Sequence, residues 1–194
     1  MRHFKRVNPP DFLKQNWEKW GVEWEIRKTA KTSAKFTWRM FENQPVNQRL
    51  IPLLKEQTND HCSFCDNFPV SPPSIDTIEH FRPKADFPKL AYQWENLYYC
   101  CNYCQQKGDE FHDLLLQPDH FDYRFDRYFT WDYENGLLLV NVAATSEDQK
   151  RAEITIKIYR LNDGHPTFRR LSSRRRRLDP ESDLGQFAYR NFVE

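Results

Sequence analysis

The sequence predicts an α+β protein in which a metal-bound central region is flanked by N-terminal and C-terminal helices. Three observations predict this class. Tryptophans recur at helical spacing near the N-terminus, four cysteines form two Cys-x-x-Cys pairs in the centre, and apolar strand-like segments flank Asn135-Gly136 beyond them. We therefore divide the chain into a helical region 1–60, a metal-bound core 61–118, and a hairpin with helices at 119–194.

The composition limits the classes of protein. The chain has 29 Lys and Arg against 28 Asp and Glu, and this formal net charge of +1 excludes a uniformly basic nucleic-acid-binding protein. No apolar run approaches the roughly 20 residues of a membrane span, and none follows the basic N-terminus. We therefore expect a cytoplasmic protein without membrane contact, in which paired cysteines favour a metal over a disulfide.

The N-terminal region predicts two helices. The first follows Pro9-Pro10 and carries Trp17, Trp20 and Trp24 at helical spacing, with Gly21 as a weak point. The tryptophan stripe is best explained as a packing surface. The second helix is expected at about 46–56, where Pro52 predicts a kink or a late start.

The remaining elements follow from shorter patterns. Strands are predicted at 75–81 and 94–100, and a helix is predicted to begin at Cys104. Beyond them, Asn135-Gly136 predicts a hairpin of 128–133 with 137–142. Ser146 opens a segment whose acidic first turn favours a helix, although its β-branched alternation leaves a strand open. A last helix is expected at about 165–178.

Four of the five cysteines predict a structural zinc site. Cys62 and Cys65 form one Cys-x-x-Cys turn, Cys101 and Cys104 form another, and 35 residues separate the two pairs. Two such turns complete a tetrahedral site and leave no open position for water, so the zinc would stabilise the fold rather than catalyse. A redox motif would use one pair and leave the other unexplained. Cys100 is interpreted as a small buried apolar residue.

A second pattern lies within and just after the segment that the cysteines enclose. Glu79 and His80 belong to the first predicted strand, Asn96 precedes the core of the second, and Gln105 follows Cys104 directly. Fifteen residues separate His80 from Asn96, and eight separate Asn96 from Gln105. This order resembles the HNH endonucleases of the ββα-metal class. The segments Ile-Glu-His-Phe-Arg-Pro-Lys, Trp-Glu-Asn-Leu and Lys-Gly-Asp resemble the anti-phage nucleases of Septu and retron systems.

The chemistry of phosphodiester hydrolysis explains several of these residue types. Hydrolysis needs a base and a cation, and the imidazole of His80 titrates near neutral pH. The resemblance implies that Glu79 and Gln105 hold a catalytic ion and that Asn96 fixes the loop that orients the base. Oxygen ligands beside a phosphate favour Mg²⁺, with Mn²⁺ as a substitute. Phosphates of the nucleic acid are predicted to be bound by three cations, Arg82, Lys84 and Lys107.

Two residues depart from the family pattern. Glu79 stands where the family usually has Asp, and Gln105 stands where it has His or Asn. A loosely bound ion, a role for Asp109 or His112, or a decayed site remain open. The alternative function is therefore a non-catalytic zinc-containing subunit that binds nucleic acid or acts as an adaptor.

The resemblance and one cluster of charged residues predict the binding partners of this protein. Septu-type nucleases work with a PtuA-type ATPase, and a homodimer of this chain could form within such a complex. Six arginines, Arg169, Arg170 and Arg174 to Arg177, fall within nine residues. They form either a solvated or ion-pairing face or a phosphate track beside the active site. The sequence has no Gly-x-x-x-x-Gly-Lys motif for nucleotide binding.

Overall fold

A computed structural model describes residues 1–31, 33–70, 77–176 and 182–194, except for the side chain of His165. The described part mixes helices with small sheets, as the α+β class requires. Its elements follow in the order α1 (Asp11–Ala30), β1 (Met40–Phe41), β2 (Gln44–Pro45), α2 (Val46–Gln57), β3 (Thr77–His80), β4 (Leu97–Cys100), α3 (Asn102–Gln105), α4 (Phe125–Tyr128), β5 (Phe129–Asp132), β6 (Leu137–Val140), α5 (Ser146–Ile158), α6 (Gly164–Arg176) and α7 (Arg190–Val193).

The strands pair in three antiparallel two-stranded sheets within the described residues. In the central sheet, β3 pairs with β4 so that Glu79 lies opposite Tyr98 and His80 opposite Leu97. The β5–β6 hairpin turns at Asn135-Gly136, and Gly136 adopts a φ of 69° that favours glycine. None of the helices in this part of the chain combines the length and apolarity needed to cross a bilayer.

Several predicted boundaries shift for local reasons. The second central strand begins at Leu97 rather than at 94, because residues Trp94–Asn96 form a 3₁₀ turn. Helix α3 ends at Gln105 instead of beginning at Cys104. Pro52 lies inside α2, which starts at Val46, so the alternative of a late start is wrong. Residues 75 and 76 of the predicted first strand, and 177 and 178 of the last helix, lie outside the described residues.

Residues 146–158 form a helix, which decides the alternative between helix and strand. The side chain of Thr145 accepts a hydrogen bond from the backbone of Asp148 and caps the first turn. Glu147 and Asp148 place negative charge at the helix N-terminus, where the helix dipole stabilises it. These local end signals outweigh the β-branched alternation of the sequence.

Buried residues from all three predicted regions join one apolar core. Polar contacts also cross the predicted boundaries. Arg6 forms an ion pair of 2.6 Å with Asp119 and donates to the carbonyls of Trp94 and Leu97. Arg190 likewise donates to both carboxylate oxygens of Asp66. Both chain ends are therefore held against the central region.

The arginine cluster on α6 divides into packed and exposed members. Arg170 is buried, donates to the carbonyl of Gly136 at 3.0 Å, and lies 5.0 Å from the ring of Trp131. Arg174 lies 4.6 Å from the ring of Tyr133. Arg170 therefore packs into the protein beside the β5–β6 hairpin, whereas Arg174, Arg175 and Arg176 are exposed. Arg177 lies outside the described residues.

Gly21 allows α1 to approach the loop that follows β3. A Cβ atom at this position would lie 2.1 Å from the carbonyl oxygen of Lys89, which belongs to a 3₁₀ turn at Pro88–Leu90. This distance is far below a van der Waals contact, so no side chain fits. The predicted weak point of the helix is therefore a site of close contact with the central region.

We expect Gly21→Ala to lower the free energy of unfolding by about 3 kcal/mol, because helix and loop must separate. Gly164→Ala is the matched control, since a Cβ there meets nothing within 4 Å. Urea unfolding of both variants measures the difference. Equal stability of the two variants would contradict the close approach.

Candidate metal centre and candidate active site

The two Cys-x-x-Cys pairs meet in one buried cluster. The four sulfur atoms of Cys62, Cys65, Cys101 and Cys104 all lie within 4.8 Å of one another, and those of Cys65 and Cys101 are 3.6 Å apart. Zinc–sulfur bonds of about 2.3 Å place tetrahedral sulfurs about 3.8 Å apart. The cluster can therefore hold a zinc ion without large rearrangement.

Local structure explains how the two pairs converge. The first pair lies in a turn after α2, where the backbone of Ser63 donates to the carbonyl of Tyr99 on β4. Cys101 directly follows β4 and directly precedes α3, which contains Cys104. Hydrogen bonding to Cys101 raises the pKa of the Cys65 and Cys104 thiols. A bound cation would replace these protons, which makes metal affinity fall at low pH.

Cys100 lies outside the cluster, as its spacing predicts. Its sulfur is 3.3 Å from the hydroxyl oxygen of Thr77 on the neighbouring strand. The side chain is fully buried, and burial raises the pKa of its thiol. Cys100 is thus a packing residue next to the second cysteine pair.

His80 lies at the end of β3 with its ring largely buried. Its Nε2 is 3.0 Å from the carbonyl oxygen of Ala91, so Nε2 carries the proton and Nδ1 carries the lone pair. Trp38 stacks on the ring at 5.5 Å, and Phe36 contacts it edge-on at 5.6 Å. Burial lowers the pKa of His80 to about 3, with the charge of Lys84 as a further cause. The imidazole is therefore neutral at neutral pH.

Glu79 is also buried and faces a cation. One carboxyl oxygen is 3.0 Å from the ammonium of Lys107, whose side chain is 0% exposed. Burial raises the pKa of Glu79 to about 7, although Lys107 opposes this shift. Lys107 also donates to the carbonyls of His80 and Gly108. Lys107 thus contacts β3 and is buried, and its contact with a phosphate stays a prediction.

Asn96 clamps the loop between the two central strands. Its Oδ1 accepts from the backbone of Arg82 at 2.7 Å, and its Nδ2 donates to the carbonyls of Arg82 and Leu90 at 3.0 Å each. Ala91, whose carbonyl orients His80, follows Leu90 directly. The side chain of Asn96 therefore ties the start of the loop to its middle, next to the carbonyl that contacts His80.

We expect Asn96→Ala to lower the free energy of unfolding by about 3 kcal/mol, because it leaves three partly buried backbone groups without their partner. Asn102→Ala is the control, since Asn102 is exposed at the start of α3. Thermal unfolding compares the two. A loss for Asn96→Ala no larger than that of the control would argue against the clamp.

The other predicted site residues lie around this hairpin. Gln105 is exposed, and its Nε2 is 3.5 Å from the carbonyl of Ile78. The guanidinium of Arg82 lies 5.3 and 5.1 Å from the rings of Phe87 and Phe111, which also contact each other. The ammonium of Lys84 lies 5.5 Å from the ring of Phe36. Asp109 lies close enough to Glu79 to raise the pKa of that carboxyl further.

The aromatic cover of His80 is a feature that the sequence reasoning missed. Phe36 and Trp38 come from the segment between α1 and β1, more than forty residues before the ring they contact. The available signal was the alternation of aromatic and basic residues in Lys35-Phe36-Thr37-Trp38-Arg39. Nothing in that pattern identifies His80 as the group beneath it.

The structure thus defines a small protein of mixed helices and sheets, with a four-cysteine cluster beside a hairpin that carries a buried histidine and glutamate. No protein-family model matches the chain. It is 29% identical over 119 residues to the Septu protein PtuB of Bacillus thuringiensis. The alignment covers 61% of this chain and 40% of that protein, so the chain spans less than half the length of this relative.

Proposed function

We propose that this protein is a metal-dependent HNH endonuclease that hydrolyses phosphodiester bonds of nucleic acid in a Septu-type anti-phage defence system. The hydrogen bond from His80 to the carbonyl of Ala91 is the observation on which the proposal chiefly rests. It leaves Nδ1 with the lone pair that a general base needs. The distant similarity to a Septu protein supports the assignment to defence.

The order of elements supports a ββα-metal core. The antiparallel strands β3 and β4 are followed directly by the short helix α3. His80 ends the first strand, Asn96 precedes the second, and Gln105 ends the helix. We propose region 61–118 as this core, with 1–60 and 119–194 as the flanking parts.

His80 would act as the base that removes a proton from the attacking water. In the described conformation its low pKa makes the ring a weak base, since base strength falls with pKa. A phosphate beside the ring would raise this pKa, because an anion stabilises the charged imidazolium. Asn96 would keep the ring in place through its hydrogen bond to Leu90, which directly precedes Ala91.

Glu79 and Gln105 would hold the catalytic Mg²⁺ or Mn²⁺. A carboxylate and an amide oxygen suit a hard cation that keeps several of its own waters. The ammonium of Lys107 lies 3.0 Å from one carboxyl oxygen of Glu79, and the other oxygen would bind the ion. The ion would neutralise charge on the phosphate and on the departing oxygen. Arg82 and Lys84 would contact neighbouring phosphates.

A non-catalytic subunit is the second candidate. Lys107 already pairs with Glu79, Gln105 is a weak ligand, and aromatic rings cover His80. In this case the zinc-containing fold would bind nucleic acid or link other subunits. Such a protein would show no cleavage that depends on Mg²⁺, even with a partner present.

The test is to express the chain with a PtuA-type ATPase and to measure cleavage of DNA and RNA with Mg²⁺. The nuclease proposal expects cleavage that His80→Gln abolishes. Co-purification of the two proteins tests the proposed partner, and the mass of the complex tests the homodimer. Cleavage that survives His80→Gln would overturn the assigned base.

A further inference from the structure

The segment that covers His80 is strongly basic. Residues 27–31 and 33–39, called the basic strip below, contain five Lys and Arg and no Asp or Glu. The whole chain has a net charge of only +1, so this is a local concentration of positive charge. Of the five cations, Arg39 forms an ion pair with Glu23. Lys31 and Lys35 are exposed and have no acidic partner among the described residues.

Hydrogen bonds hold the basic strip against the candidate active site. Arg27, in the last turns of α1, donates to the carbonyl of Lys35 at 3.2 Å. This bond holds the part of the strip that follows the helix against the helix end. The hydroxyl of Tyr92 donates to the carbonyl of Thr37 and accepts from the backbone of Arg39. Tyr92 follows Ala91, which orients His80. The backbone of the strip is therefore anchored while the side chains of Lys31 and Lys35 remain exposed.

The strip also lies next to Lys84, one of the predicted phosphate-binding residues. Phe36 touches the ring of His80 and lies 5.5 Å from the ammonium of Lys84. Trp24 donates from its indole to the carbonyl of Lys84 at 3.0 Å. Cations and half-buried aromatic rings therefore lie side by side on the strip and extend to the ring of His80. This combination suits an unpaired nucleic-acid strand, whose phosphates meet the cations and whose bases can stack on aromatic faces.

We propose that the basic strip binds the backbone of a single-stranded nucleic acid and directs it to His80. The inference rests on the proposed nucleic-acid substrate and adds its strand state and its path. A duplex fits less well, because its base faces are not available to Phe36 and Trp38. An acidic protein partner is the competing explanation for the same charge.

The test compares how tightly the wild type and K31Q/K35Q bind a labelled single-stranded oligonucleotide. Fluorescence anisotropy measures this affinity in the absence of Mg²⁺. The matched control is K14Q/K19Q, which removes two exposed lysines from the first half of α1. We expect affinity to fall about tenfold for K31Q/K35Q only, and the slope of log K against log salt to decrease by about 1.4. A duplex of the same sequence should bind more weakly than the single strand.

Equal affinity of K31Q/K35Q and K14Q/K19Q, or tighter binding of the duplex, would overturn the inference. Loss of binding to the ATPase partner with unchanged oligonucleotide affinity would also overturn it in favour of a protein contact. Failure of the nuclease proposal is separate, because it would appear as absent cleavage while the difference in oligonucleotide affinity remained.

Discussion

Replacing Cys101 with serine is expected to release zinc and to unfold the central region. Its sulfur lies 3.6 Å from that of Cys65 within a buried four-thiol cluster. Structural zinc contributes about 10 kcal/mol or more in small domains, which is comparable to the total stability of a protein. We expect the zinc content to fall from one ion per chain to none, with loss of a cooperative thermal transition.

Cys100→Ser is the matched control for Cys101→Ser. It makes the same chemical change one residue away, at a buried thiol that contacts Thr77 and not the cluster. The control should keep its zinc ion and lose only about 1–2 kcal/mol, the cost of burying an extra hydroxyl. Zinc measured by mass spectrometry in both purified variants distinguishes them. Full zinc content in Cys101→Ser would exclude the four-cysteine site.

Replacing His80 with glutamine is expected to reduce phosphodiester cleavage at least about a hundredfold, the usual contribution of a general base. The glutamine amide can still donate to the carbonyl of Ala91, so the loop stays held while the basic nitrogen is lost. The measurement is the rate of nucleic-acid cleavage with Mg²⁺ and the ATPase partner present. Unfolding in urea verifies that the variant is folded.

His120→Gln controls for the loss of an imidazole elsewhere. His120 is exposed and pairs with Asp122, far along the chain from the central hairpin. Its replacement should leave the cleavage rate unchanged. If both variants kept full activity, His80 would not be the base. If wild type and variants alike were inactive with a bound partner, the adaptor function would be favoured.

The sequence alone was sufficient for features that depend on neighbouring residues. The hairpin around Asn135-Gly136 follows from turn signals within a few residues. For residues 146–158 the sequence favoured a helix but left a strand open, and the structure shows the helix. The two Cys-x-x-Cys pairs were recognisable for the same reason, since their spacing suits one ion. The predicted helix from Cys104 was wrong because α3 is only one turn long and ends at Gln105.

The tertiary structure decided which of the recognised side chains are exposed and what they contact. Lys107 follows the second cysteine pair, yet its ammonium is buried against Glu79, 28 positions earlier in the sequence. Trp38 belongs to the N-terminal region and nevertheless stacks on His80. Local patterns encode turns, helices and ligand spacing, because these depend on backbone geometry over a few residues. Burial and electrostatic partners depend on how distant segments pack, and only the folded chain determines that.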